Sequence, residues 1–170
     1  MTTNWLTATE QTAWRNFVNT MPDLDAAFEA DVAVHGITMG DYTVLVLLSE
    51  AEGHQLRMCD LAASLRLSPS GLTRRLDGMV RAGWVDRSAC SSDRRVMYAH
   101  LTAAGLEKMN AAAPDHVDSV RRHFFEPLGP EGVQQLSDLF SVIRQHLNDS
   151  QHLNDSQHLQ DTQQLDGQPA

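Results

Sequence analysis

Apolar residues recur at helical spacing along most of this chain, and the pattern turns to alternation only between about residues 84 and 101. Trp14, Phe17, Val18, Met21, Leu24, Phe28 and Val32 make one broad stripe and predict an amphipathic helix over 9–32, with Thr9 as its N-cap. Pro22 lies inside that stripe, where its missing N–H and its ring predict a kink or a break into two helices. After a short loop at 35–39, Tyr42, Leu45, Val46 and Leu48 predict a second helix over 40–51 that ends around Gly53. Residues 55–58 read as short and extended, and 58–66 as a short helix with Leu61, Ala62 and Leu65 inward.

The next stretch has the sharpest division of faces. Ser68 is placed to cap a helix and Pro69 to occupy its first position, where a missing N–H costs nothing. Over 69–82, Leu72, Leu76, Met79 and Val80 share one side. Ser70, Thr73, Arg74, Asp77, Gly78 and Arg81 share the other, with Arg75 on the flank. Gly83 suits the left-handed residue that ends a helix. Trp84–Ser88 then alternates, 89–95 is a polar loop, and Val96–Leu101 returns as a second strand. A short helix, a tight turn and a polar-faced second helix form a helix-turn-helix, and a strand, basic loop and strand directly after it form a wing.

Thr102 caps a further helix carrying Leu106, Met109, Ala113, Val117, Val120 and Phe124, with a bend expected at Pro114. A last helix starts at Pro130, with Val133, Leu136, Phe140 and Ile143 as its stripe. From residue 145 the chain repeats a hexapeptide, QHLNDS, QHLNDS, QHLQDT, QQLDGQ. Six residues turn a helix by about 600°, so Leu147, Leu153, Leu159 and Leu165 form no stripe. Residues 148–170 therefore read as a low-complexity, disordered tail. His146, His152 and His158 share no helix face either, which removes the metal reading that they invite.

Charge changes the picture of the middle segment. The whole chain of 170 residues carries a formal charge of −9, which by itself speaks against nucleic acid. Residues 57–95, however, hold eight arginines against four aspartates, a net of +4, while the rest holds five Lys or Arg against 18 acids, a net of −13. A basic island in an acidic protein is the local footprint that phosphate binding needs, and arginine suits fixed bidentate contacts to phosphate or guanine. Cys59 and Cys90 have no zinc spacing and read as free thiols of a reducing compartment. His116 and His123, seven apart on one helix face, read as core or interface residues. No GxSxG, phosphate-cradling glycine loop or HExxH is found, so an enzyme is not expected and no cofactor is called for. No secretory signal and no membrane-length apolar run is seen, which points to the cytoplasm.

The strings ITMGDYTVLVLLSEAEGHQLRMCDLAASL (37–65), LSPSGLTRRLDGMVRAGWVDR (67–87), SSDRR (91–95) and LTAAGLEKM (101–109) resemble the MarR family of bacterial transcription regulators. The likeness runs from about residue 9 to 147, and APDHVDSVRRHFFEPLGPEGVQQL (113–136) resembles the family's C-terminal helices. It implies a mainly α fold with a small β-wing. The expected parts are an N-terminal dimerisation helix region (1–34), a winged helix-turn-helix domain (35–102) and C-terminal dimerisation helices (103–147). The terminal helices of two copies would intertwine. The resemblance further implies a homodimer that binds a pseudo-palindromic DNA operator, commonly as a repressor released by a small phenolic or aromatic effector.

Carried onto this chain, the family roles put Ser68, Ser70, Thr73, Arg74 and Arg75 of the helix, and Arg94 of the wing, at the DNA. Asp93 and Arg95 would brace the wing through salt bridges, and Trp14 and Tyr42 would line an effector pocket. Four features depart from the family pattern. Arg75 stands where an aliphatic residue is usual, Gly78 where a basic one is common, no cysteine precedes Cys59, unlike in peroxide-sensing members, and the hexapeptide tail is not part of the pattern. A winged helix that binds protein rather than DNA is the competing expectation. It would not need Arg74, Arg75 and Arg94 together on one side.

Overall fold

The computed structural model describes residues 3–90, 93 and 95–166, the last sixteen of these by their backbone course alone. Two compact units emerge, Met1–Phe124 and Phe125–Ala170. In the first unit the order is α1 (Ala8–Ala33), α2 (Met39–Glu50), β1 (Gln55–Arg57), α3 (Met58–Ser64), α4 (Pro69–Arg81), β2 (Val85–Ala89), β3 (Met97–Leu101) and α5 (Ala103–Val120). A π-helical turn, Arg121–Phe125, follows α5. Mainly helical with one small antiparallel sheet, the architecture is the winged helix expected from the sequence.

The sheet has the order β1-β3-β2. β3 pairs Leu56 with Ala99 on one side and Arg87 with Ala99 on the other. Ala99 and Val85 are fully buried and close the main core from the sheet side. From the helices come Val44, Leu45 and Leu48 of α2, Leu61 and Ala62 of α3, and Leu72, Leu76 and Met79 of α4. A smaller cluster, Val32, Ile37, Tyr42 and Ala112, joins α1, α2 and α5. Val80, expected among the buried residues, is only half-buried.

Local chemistry explains most boundaries. Ser68 caps α4 by accepting from the Gly71 N–H at 3.1 Å. At its other end, Gly83 (φ 76°) donates to the Val80 carbonyl and Trp84 to that of Met79, the paired bonds of a left-handed helix stop. Thr102 caps α5 through the Gly105 N–H and also donates its hydroxyl to the Gly83 carbonyl at 2.7 Å. The Thr102 N–H reaches the Trp84 carbonyl, and a Cβ on Gly105 would overlap that same oxygen. The start of α5 is thereby seated on the corner between α4 and β2.

Three expectations change. The N-cap of α1 is Thr7, not Thr9, because Thr7 and Glu10 complete a reciprocal capping box. Pro22 does not break α1, which runs unbroken for 26 residues, and Pro114 lies within α5. A proline deletes one bond of the ladder, and helix on both sides with its remaining bonds absorbs that loss. In the second unit a 3-10 turn (Glu126–Leu128) leads into α6, Gly129–Asp166. The sequence pattern predicts an end to ordered structure near residue 147. The structure carries the helix to Asp166, and the repeat contains neither Gly nor Pro before Gly167 to stop it. Among the described residues no helix is long and apolar enough to cross a membrane.

Candidate nucleic-acid interface

α4 buries Leu72, Leu76 and Met79 to within about 1% of full cover and turns its other side outward. Ser70, Thr73 and Arg74 are exposed on that outer side, as the spacing predicted. The Thr73 hydroxyl donates to the Pro69 carbonyl at 2.9 Å, and the Ser68 and Ser70 hydroxyls lie 3.2 Å apart. Ser68 is exposed too, but its hydroxyl already accepts from the helix backbone, so capping is its first task.

Arg75 parts company with Arg74. The family resemblance puts it among the DNA contacts, yet its guanidinium turns to the start of α2. There Nη1 donates to Thr38 Oγ1 at 3.3 Å and to Asp41 Oδ1 at 3.4 Å. Its side chain is 33% exposed. Asp77, placed on the outer face by spacing, is also engaged, accepting from Arg87 Nη2 of β2 at 2.6 Å. That ion pair ties the wing to the outer helix across a separation of ten residues, beyond the reach of local sequence signals.

The wing loop joins β2 to β3 through Cys90–Val96, its ends closed by the Cys90 N–H on the Val96 carbonyl at 2.8 Å. Asp93 Oδ1 accepts from the Arg95 backbone N–H at 3.0 Å, and the Val96 N–H reaches the Asp93 carbonyl. The brace is therefore a local turn made by a side chain on the backbone. Among the described residues it is this backbone contact, and not the expected salt bridges, that ties Asp93 to Arg95. Arg94 lies outside the described residues. Arg57, not singled out from the sequence, stands at the end of β1, where its Nε donates to the Tyr98 hydroxyl across the sheet at 3.3 Å. That contact, and then the charge of Asp60, holds its guanidinium still more firmly protonated.

A cavity of about 490 Å³ opens between α3, the start of α4 and the wing. Arg57, Arg87, Arg95, Leu72, Val96 and Met97 are among its lining residues, as is Cys59, whose thiol lies 3.4 Å from Asp60 Oδ1. The two aromatics proposed for an effector pocket are not brought together. Tyr42 is buried with its ring 4.8 Å from that of His116, and burial raises its pKa. Trp14 is 58% exposed on α1 beside Phe17. The periodicity that marked both as stripe residues carries no information on which stripe is covered.

Comparison with known proteins bears on this geometry. Residues 37–97 match the family model described as "MarR family". The transcriptional repressor YetL of Bacillus subtilis is 29% identical over 64% of this chain and 66% of its own length. The transcriptional regulator PecS of Dickeya dadantii is 25% identical over 73% of this chain and 75% of its own. Among solved structures, AbsC of Streptomyces coelicolor, a MarR family transcriptional regulator, superposes with a TM-score of 0.80 at 45% identity. The match covers 86% of this chain and 99% of AbsC. Sco3205 from the same organism, a family member solved in complex with DNA, gives a TM-score of 0.78 at 33% identity over 84% of this chain and 90% of its own.

Proposed function

Since the chain belongs to the MarR family of transcription regulators, we propose that it acts as a homodimeric repressor on a pseudo-palindromic operator and is released by a small effector. The observation that carries the DNA reading is the outer face of α4. Ser70, Thr73 and Arg74 are exposed together on a helix whose opposite side is locked into the core, directly beside a wing. A helix so anchored enters a major groove with its first turns leading, and the wing reaches the neighbouring backbone. The island of +4 supports the same reading, since arginine–phosphate contacts release counterions and make affinity fall steeply with salt.

Arg74→Ala is expected to weaken binding to the chain's own upstream region by about 5- to 150-fold, the range of one lost bidentate contact to a base. Its melting temperature should not move. Fluorescence anisotropy with a labelled duplex reads the first quantity and circular dichroism the second. Parent-like affinity of Arg74→Ala at moderate salt would remove α4 from the interface and favour the protein-binding alternative.

The homodimer reading rests on apolar surface in each unit taken alone. α1 exposes Trp14, Phe17, Val18 and Met21, and α6 exposes Leu139, Phe140, Val142 and Ile143. For the effector, the lining of the cavity beside the wing supports an acidic aromatic compound, with arginines for the acid and Leu72, Val96 and Met97 for the ring. Benzoate should then dissociate the operator complex, and a Met97→Trp variant that fills the cavity should respond to it at least about tenfold less. Equal release from both proteins would move the effector elsewhere.

A further inference from the structure

We infer that Arg75 is a positioning residue. Seated in a notch left by Gly40 and held by Thr38 and Asp41, it fixes the angle at which α4 presents Arg74, and it does not itself bond the nucleic acid. The inference rests on α4 being the groove helix and assigns a task that its outer face does not show.

The start of α2 is built to receive this guanidinium. Thr38 and Asp41 form a capping box in which Asp41 Oδ2 accepts from the Thr38 N–H at 3.2 Å and from the Thr38 hydroxyl at 2.8 Å. The Asp41 N–H in turn donates to Thr38 Oγ1 at 3.1 Å. That arrangement uses one carboxylate oxygen and leaves Oδ1 free for Arg75 Nη1. The remaining acceptor capacity of the Thr38 hydroxyl goes to the same nitrogen. A cation at a helix N-terminus is opposed by the helix dipole, so the guanidinium rests there on the strength of Asp41.

Gly40 supplies the room. It has an ordinary helical backbone, so no conformational need explains a glycine, and glycine is a poorer helix former than alanine. A Cβ at this position would overlap the Arg75 guanidinium. The hydrogen bonds, at 3.3 and 3.4 Å, are at the long end of useful geometry. Shape and charge together, rather than either bond alone, define the seat.

Placement on α4 gives the seat its effect. The buried set Leu72, Leu76 and Met79 fixes the helix against the core but restrains its roll only through apolar contact. Arg75 and Asp77, two residues apart, lie about 200° from one another around the helix. One is tied to α2 and the other to Arg87 of β2. These two ties restrain roll in opposite senses, and Arg74 lies between them on the outer side. A guanidinium committed to α2 is poorly placed to reach a phosphate as well.

The test measures binding of a duplex from the chain's own upstream region and of a scrambled duplex of equal length across a series of salt concentrations. Gly40→Ala is the decisive variant, because it evicts Arg75 from its seat while leaving every charge in the chain. Gly40→Ala and Arg75→Ala are each expected to weaken binding of the upstream duplex about tenfold, part of the worth of one base contact. They should leave the scrambled duplex and the salt slope unchanged, and their double variant should bind like either single one. A general loss of structure would lower both duplexes and the melting temperature together, which separates it from mispositioning. Arg74→Ala serves as the reference, expected to reduce the slope by about 0.9 if its contact includes phosphate.

If Arg75 is instead a phosphate ligand that Asp41 holds back, Gly40→Ala will raise affinity and steepen the slope, and the inference is overturned. Parent-like binding by both variants overturns it equally, while a normal loss in Arg74→Ala shows that the groove-helix reading survives. Should Gly40→Ala fail to fold, Arg75→Ala alone carries the comparison through the ratio of the two duplexes. Failure of the parent to prefer the upstream duplex would instead reject the reading of α4 itself.

Discussion

α1 and α4 have the same kind of sequence and opposite fates. Each carries an apolar stripe at helical spacing and begins at a threonine or serine cap. In α4 the stripe vanishes into the core, with Leu76 fully buried, and the polar side is left open. In α1 only Leu24 and Val32 are buried, while Trp14, Phe17, Val18 and Met21 remain 40% or more exposed. Amphipathic spacing therefore says which side of a helix seeks cover and nothing about what supplies it. An open polar face with arginine suits a polar polyanion. An open aromatic face suits a second apolar surface, which the proposed homodimer would supply from a copy of the same chain.

The contrast can be attacked from the side of α1 first, where the effect should be largest. Trp14→Ser with Phe17→Ser removes two apolar anchors from each of two copies, on the order of 4–8 kcal/mol of association free energy at roughly 1–2 kcal/mol per side chain. Sedimentation should show monomers at concentrations where the parent is dimeric, with operator affinity lost in parallel. A variant that stays dimeric would mean that the α1 stripe has some other cover. From the side of α4, Leu76→Ala should lower folding stability by about 2–5 kcal/mol, the cost of a cavity in a packed core, read from the urea midpoint. An equal loss on truncating Phe17 in the monomeric state would erase the distinction between the two stripes.

The smallest effect lies at the boundary between the two regions. His116 of α5 sits among Phe28 of α1 and Tyr42 of α2, and its Nδ1 is buried with no hydrogen-bond partner among the described residues. Burial pulls its pKa below the ordinary 6.5. The unfolded chain thus takes up this proton before the folded one. Stability from this residue is whole above pH about 6.5 and declines as pH falls from there toward the folded value. His116→Phe should flatten the urea midpoint over that window. A slope unchanged by the substitution would assign the acid sensitivity to other groups.

Much of the fold was readable because its signals are local. Ser68 before Pro69, Gly83 after Arg81 and Thr102 before Ala103 each act within a turn, and each boundary falls where they put it. The alternation that marks the wing is equally local. What escaped depends on distance along the chain. Asp41 and Arg75 are 34 residues apart, and only the docking of α2 on α4 shows that an arginine of the basic island is engaged within the protein. Asp77 and Arg87 meet around a corner that the helix stop at Gly83 creates. The same holds for Tyr42, whose stripe position was plain but whose enclosure by His116 came from a helix some 70 residues on. Of the two outcomes open at Pro22, a kink or a break, the unbroken run of α1 removes the break, because a long helix with many other bonds absorbs the loss of one.

The seating of α5 on the α4–β2 corner has a consequence for how this segment tolerates change. Thr102 and Gly105 each answer to a fixed backbone carbonyl, while Ala103 and Ala104 between them are exposed. The motif is therefore a spacing gauge. Its two middle letters are free to vary, but inserting one would rotate Gly105 by about 100° and bring a side chain against the Trp84 oxygen in its place. Drift in this stretch can proceed by substitution at 103 and 104, whereas a change in length is closed to it.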